Sequence, residues 1–142
     1  MNKVSDLLMN KGKDVWSIGP DVFVFDAIKL MAEKGIGALV VMDDSKVIGI
    51  ISERDYARKV ILMGLSSRET QVKEIMTTRV VYANPEKSVE ECMALMTDKH
   101  IRHLPIMEGE QLVGVISIGD LVKSIIAEQQ FTIEQLEKYI SG

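Results

Sequence analysis

The sequence repeats itself, and no other feature limits its fold so strongly. Shifted by 65 positions, the residues from Val15 to about Ile61 align without a gap with the later part of the chain. Self-similarity at such a period means that one supersecondary unit has been used twice. Identities at this offset include Pro20/Pro85, Val24/Val89, Met31/Met96, Leu39/Leu104, Gly49/Gly114, Ser52/Ser117 and Asp55/Asp120. Ahead of that block, Val4-Ser5-Asp6-Leu7-Leu8 matches Val72-Lys73-Glu74-Ile75-Met76 at an offset of 68. A unit of about 60 residues buries too little apolar surface to be comfortable alone, so the two copies are expected to pack on each other with pseudo-twofold symmetry.

Each copy predicts the order helix–strand–helix–strand–strand–helix, an α/β (α+β) fold. In the first, Val24, Ala27, Ile28, Met31 and Ala32 recur at helical spacing and Gly35 follows as a stop. In the second, Ser88 and Glu91 form a capping-box pair, where the first copy has Phe23 in place of the serine. The apolar runs Ala38–Met42 and Val47–Ile51 read as strands joined by a turn at Asp43–Lys46; His103–Met107 and Gln111–Ile116 repeat them across Glu108–Glu110. Pro105 argues for a strand edge or an irregular end there. The predicted division is repeat 1 over 1–64, a polar connector over 65–71, repeat 2 over 72–128 and a separate short helix over 129–142, with Thr132 and Gln135 in capping positions.

Both copies close their second hairpin strand with Ser-x-x-Asp: Ser52-Glu53-Arg54-Asp55 and Ser117-Ile118-Gly119-Asp120. A hydroxyl and a carboxylate at the first turn of a helix admit two readings. They close a capping box, satisfying backbone donors that the helix leaves free. Alternatively, the free N–H groups and positive dipole end attract a phosphate, while the carboxylate accepts from the hydroxyls of a ribose. The sequence leaves both open.

Composition removes other classes. A formal charge of −4 gives no bulk attraction to nucleic acid or anionic membrane. The basic residues gather locally, at Arg54, Arg58 and Lys59 and at Arg102, His103 and Lys123, which suits a small anion better than a polymer. Cys92, the one cysteine, sits in a helical pattern as a buried thiol and excludes an intramolecular disulfide. Neither His100 nor His103 has companions at zinc-ligand spacing, and no nucleophile–base pair can be assembled, so an enzyme is not expected. The N-terminus has no apolar signal region and no apolar run approaches 18 residues, which predicts a cytoplasmic protein.

From Val4 to about Ala127, the chain resembles a tandem pair of CBS (cystathionine β-synthase) domains, a Bateman module, on its two-copy order and both glycine-to-aspartate turns. The resemblance implies a non-catalytic regulatory module, commonly a homodimer, that binds an adenine nucleotide such as AMP, ATP or NAD(H) in clefts between the repeats and signals to a regulated protein. It also implies site residues. Asp55 and Asp120 would hold ribose hydroxyls, with Ser52 and Ser117 near phosphate or ribose. Gly37 and Ala38, with Arg102, His103, Leu104 and Pro105, would line the adenine pocket, and Ile18 and Ala83 would close it. Arg54 and Arg58 would offer charge to a phosphate chain. The competing reading is a protein-interaction or dimerisation module whose clefts stay empty.

Overall fold

The computed structural model describes residues 2–12 and 14–141. In chain order the elements are α1 (Val4–Lys11), β1 (Ser17–Ile18), α2 (Val24–Lys34), β2 (Ala38–Asp43), β3 (Lys46–Ser52), α3 (Glu53–Tyr56) continued by a π-helical turn (Ala57–Ile61), α4 (Val72–Ile75), α5 (Val89–Lys99), β4 (His103–Glu108), β5 (Gln111–Ser117) and α6 (Ile118–Ser141). They form two compact units. A central unit holds Val15–Val81 with Gly109–Leu112; a terminal unit holds the N-terminal segment through Asp14, Tyr82–Glu108 and the chain from Val113 onward. The units therefore do not follow the repeat borders, because the short helix that opens each repeat belongs to the unit built on the other repeat's hairpin.

In the central unit β1 runs parallel to β2, pairing Ser17 with Val40 and Ile18 with Val41, and β2 pairs antiparallel with β3. The hairpin turns through Asp44 and Ser45, both left-handed at φ 48° and 70°, the geometry that matches strand twist across a two-residue loop. Of the predicted apolar face of α2, Val24, Ala27 and Met31 are buried against Leu39, Val41 and Ile51, Ile28 is half-buried and Ala32 is exposed. Gly35 ends that helix in the left-handed region, and Phe23 gives its start no side-chain cap.

The glycine that opens each Ser-x-x-Asp stretch has a steric cause. A Cβ on Gly49 would lie 2.6 Å from Met76 Sδ and 3.0 Å from the Thr77 carbonyl. Met76 and Thr77 follow α4, and Thr77 exchanges backbone hydrogen bonds with Ile50 at 2.9 and 3.0 Å. In the terminal unit a Cβ on Gly114 would lie 2.6 Å from Leu8 Cδ2 on α1. Leu8 and Met76 are the counterparts found at the offset of 68. The repeated glycine thus admits a repeated helix.

The terminal unit packs α5 through Val89, Cys92 and Met96, all buried. Ser88 and Glu91 cap it reciprocally as expected, at 3.0 and 3.2 Å. Burial pushes the Cys92 thiol up from its ordinary value, so it is a packing residue. Strands β4 and β5 form a two-stranded sheet, and Ala83 lies along β4, donating to the Pro105 carbonyl and accepting from the Met107 N–H. A strand residue aims its N and its C=O to the same side, so the donor that Pro105 lacks would point toward Ala83 and away from β5.

One prediction is corrected. The separate short helix over 129–142 does not exist, because α6 runs unbroken from Ile118 to Ser141. No glycine or proline interrupts it between Asp120 and Ser141, and the Thr132 hydroxyl donates to the Glu128 carbonyl one turn back instead of capping a new start. No helix among the described residues is long and apolar enough to cross a membrane.

Candidate functional site

Both Ser-x-x-Asp turns close as capping boxes. In the central unit the Asp55 N–H donates to Ser52 Oγ at 3.2 Å, and Asp55 Oδ2 accepts from the Ser52 N–H at 3.0 Å and from Ser52 Oγ at 3.1 Å. In the terminal unit the Asp120 N–H donates to Ser117 Oγ at 3.1 Å, and Asp120 Oδ2 accepts from the Ser117 N–H at 2.8 Å. The first N–H of each helix is also satisfied: Glu53 donates to the Gly37 carbonyl and Ile118 to the Arg102 carbonyl. Each turn is thereby tied to the residue just ahead of its hairpin's first strand.

The predicted residues separate cleanly into two sets. Ile18, Gly37, Ala38, Ser52, Arg54, Asp55 and Arg58 fall in the central unit, and Ala83, Arg102, His103, Leu104, Pro105, Ser117 and Asp120 in the terminal unit. β pairing joins Ala38 to Ser52, sets Ile18 beside Val41 and bridges Ala83 to Ile106 of β4. The side chains of Ala38, Ala83, Leu104 and Pro105 are buried, so only their backbone edges are available to a ligand. Arg58 is exposed, whereas Arg54 and His103 are half-buried.

Two lysines that the motif did not reveal make the carboxylates unequal. Lys59, one turn after Asp55, reaches Asp55 Oδ1 at 3.1 Å and also donates to the Ile75 carbonyl at 2.9 Å. Thr77 Oγ1 donates to the same Oδ1 at 3.5 Å. Asp55 is 9% exposed and has both oxygens engaged. Lys59 therefore neutralises Asp55 and is not spare charge for an anion. Lys11, at the end of α1, donates to Asp120 Oδ2 and to the Val115 carbonyl, both at 2.6 Å. Its contacts and those of Ser117 fall on Oδ2 and leave Oδ1 of Asp120 outside them. Partial burial pushes the Asp120 carboxyl up, but the hydrogen bond from Lys11, then that from the Ser117 N–H, outweigh it and hold the group below its ordinary value.

Asp120 also opens onto space. A cavity of about 390 Å³ between α1 and α6 is lined by Asp120, Lys11, Lys123, Ser124, Asn2 and Asn10, with Leu7 and Ala127 as its apolar part. That is a volume in the range of small-ligand sites. A carboxylate with one uncommitted oxygen, two ammonium groups and two amides can hold hydroxyls and an anionic group together. Among the described residues no group of three or more His, Cys, Asp or Glu could hold a metal ion.

Known proteins share both the repeat and this fold. The sequence profile of the CBS domain matches residues 4–61 and 72–127. The chain belongs to the CBS domain family. It is 39% identical to the mitochondrial CBS domain-containing protein CBSX3 of Arabidopsis thaliana, over 98% of this chain and 72% of that one. A solved structure of a protein with CBS domains from Burkholderia ambifaria MC40-6 is 55% identical and superposes with a TM-score of 0.87, covering 93% of this chain and 99% of that one. The CBS domain pair of protein MJ0100, solved in complex with 5′-methylthioadenosine and S-adenosyl-L-methionine, shares the fold at a TM-score of 0.80 and 22% identity, covering 90% of this chain and 98% of that one. This chain is accordingly a CBS domain pair.

Proposed function

We propose that this CBS domain pair is a non-catalytic cytoplasmic sensor of an adenine nucleotide such as AMP, ATP or NAD(H), working as a homodimer and passing the bound state to a regulated protein. Asp120 carries the reading. Its Oδ1 lies outside the contacts that Ser117 and Lys11 make, whereas Lys59 and Thr77 engage Oδ1 of Asp55, and it borders a cavity with Lys11 and Lys123 on its rim. A ribose would donate its hydroxyls to Asp120 Oδ1, the backbone edge of Arg102 to Pro105 would meet the adenine, and Lys11 is placed to exchange its bond to Asp120 for one to phosphate. Asp55, deeper and engaged at both oxygens, is the weaker of the two sites. The adenosyl compounds named with the MJ0100 pair, which has the same fold, support the ligand class.

A second reading has its own observation. Both capping boxes are complete without a ligand, as an interaction or dimerisation module with empty clefts requires. The two readings part on protein purified from cells and dialysed: a sensor carries an excess of 260 nm absorbance and releases an adenosyl compound identifiable by mass spectrometry. Protein that is folded, free of such a compound and unable to take one up would support the second reading.

A further inference from the structure

Every residue of α6 from Gln129 through Ser141 is exposed, so the second half of the helix buries no side chain against its own unit. A helix of that length is marginal in water without a surface to cover it. Its first half is held by Leu121, which is buried, and by Ser124, Ile125 and Glu128, which are half-buried. One residue on, and so about 100° round the helix, runs a second apolar stripe: Val122, Ile126, Ile133, Leu136 and Ile140, between 43% and 83% exposed. With Gln129 these residues alternate by four and three, as the a and d positions of heptads do: a at Ile126, Ile133 and Ile140, d at Val122, Gln129 and Leu136.

We propose that this stripe is the seam of an antiparallel pair formed by α6 with α6 of a second copy of the chain; it rests on the homodimer reading above and specifies where the dimer is made. Charge decides both the occupant and the direction. The e positions beside the seam are Lys123, Gln130 and Glu137. Laid antiparallel, with Ile126 against Leu136 of the second copy and Ile140 against its Val122, the helices bring Lys123 to Glu137 of the second copy and Glu137 to its Lys123. Gln130 meets its own equivalent on the twofold axis. A parallel pair would instead set Thr132 beside Glu137 and Ile125 beside Gln130, with no opposite charges facing each other. The antiparallel register also opposes the helix dipoles, and it is self-complementary, as a twofold interface must be.

Single cysteines test this directly, because the native Cys92 is buried and does not compete. Under mild oxidation of the full chain, Gln130→Cys should become a disulfide-linked dimer in the majority of molecules. Ile140→Cys should stay uncrosslinked, since antiparallel copies of that position lie about 27 Å apart along the axis. Lys123→Glu and Glu137→Lys should each raise the dimer dissociation constant at least tenfold in sedimentation equilibrium, and the double variant should restore it. Crosslinking at position 140 and not at 130 would overturn the antiparallel seam in favour of a parallel one. Crosslinking at neither would overturn pairing through α6. Sedimentation then separates the two ideas: a wild-type dimer without crosslinks leaves the homodimer reading standing on another surface, and a wild-type monomer removes both.

Discussion

Gly114→Ala adds one methyl group and reports whether α1 docks where the structure has it. The new Cβ would lie 2.6 Å from Leu8 Cδ2 and 3.2 Å from Leu8 Cδ1, whereas unstrained carbon contacts fall at about 3.5–4.0 Å. Leu8 must then retreat by about 1 Å, and it is 7% exposed with little room to do so. Overpacking of this kind costs about 1–3 kcal/mol. Leu8→Ala alone should cost about 2–5 kcal/mol by leaving a cavity. In the double variant the methyl at 114 enters space that the isobutyl group has vacated. The penalty of Gly114→Ala should largely vanish in that background, a coupling of about 1–3 kcal/mol. Urea unfolding midpoints at constant m-value give all four corners of the cycle. As a control, Gly35→Ala meets nothing within 4 Å but must hold φ at +64°; it should cost about 1–2 kcal/mol and add to Leu8→Ala without coupling. A harmless Gly114→Ala, or strict additivity with Leu8→Ala, would refute the docking of α1 beside Gly114.

Three further outcomes follow from the caps and the carboxylates. Ser88→Ala should lower stability by about 1 kcal/mol, read as a fall in thermal midpoint; Phe23→Ala, which removes no cap from α2, should show no loss of that origin. Asp120 is held below its ordinary value of 3.8, so the stability it contributes is full above the unfolded-chain value and is lost as pH falls through the folded one. The stability gap between wild type and Lys11→Met should accordingly be constant near neutrality and close below about pH 4 in urea titrations; a gap unchanged down to pH 2 would contradict the Lys11 assignment. Lys59→Met should cost about 1–3 kcal/mol in urea unfolding, because it removes the cation 3.1 Å from Oδ1 of Asp55, a carboxylate only 9% exposed.

Much of this architecture was legible in the chain itself because the repeat supplies a second reading of every element. The apolar face of α2, its glycine stop, the hairpin turns and the Ser88 cap each follow from local rules, and the structure has them where those rules put them. The extent of α6 was not legible: Thr132 and Gln135 imitate a helix start, and only the absence of a breaker before Ser141 argued otherwise. The assignment of α1 and α4 to each other's hairpins was hidden for a different reason. It depends on which of two equivalent grooves a helix enters, and period and propensity carry no such information. The glycines at 49 and 114 were the available signal, since a glycine inside a strand marks a close approach without naming the element that approaches. The role of Lys11 carried no signal because it lies more than a hundred residues from Asp120; Lys59 was visible as local positive charge, but neither spacing nor composition showed that it pairs with Asp55.

The central claim is that Asp120 and its cavity take an adenosyl ligand, and isothermal titration of dialysed, ligand-free protein with AMP, ATP, NAD and NADH tests it most directly. The account predicts saturable heat with at least one of them, and an affinity reduced at least tenfold by Asp120→Ala and less by Asp55→Ala, with both variants still folded by circular dichroism. Folded wild-type protein that gives no heat with any of the four, or that binds equally well without the Asp120 carboxylate, would contradict it.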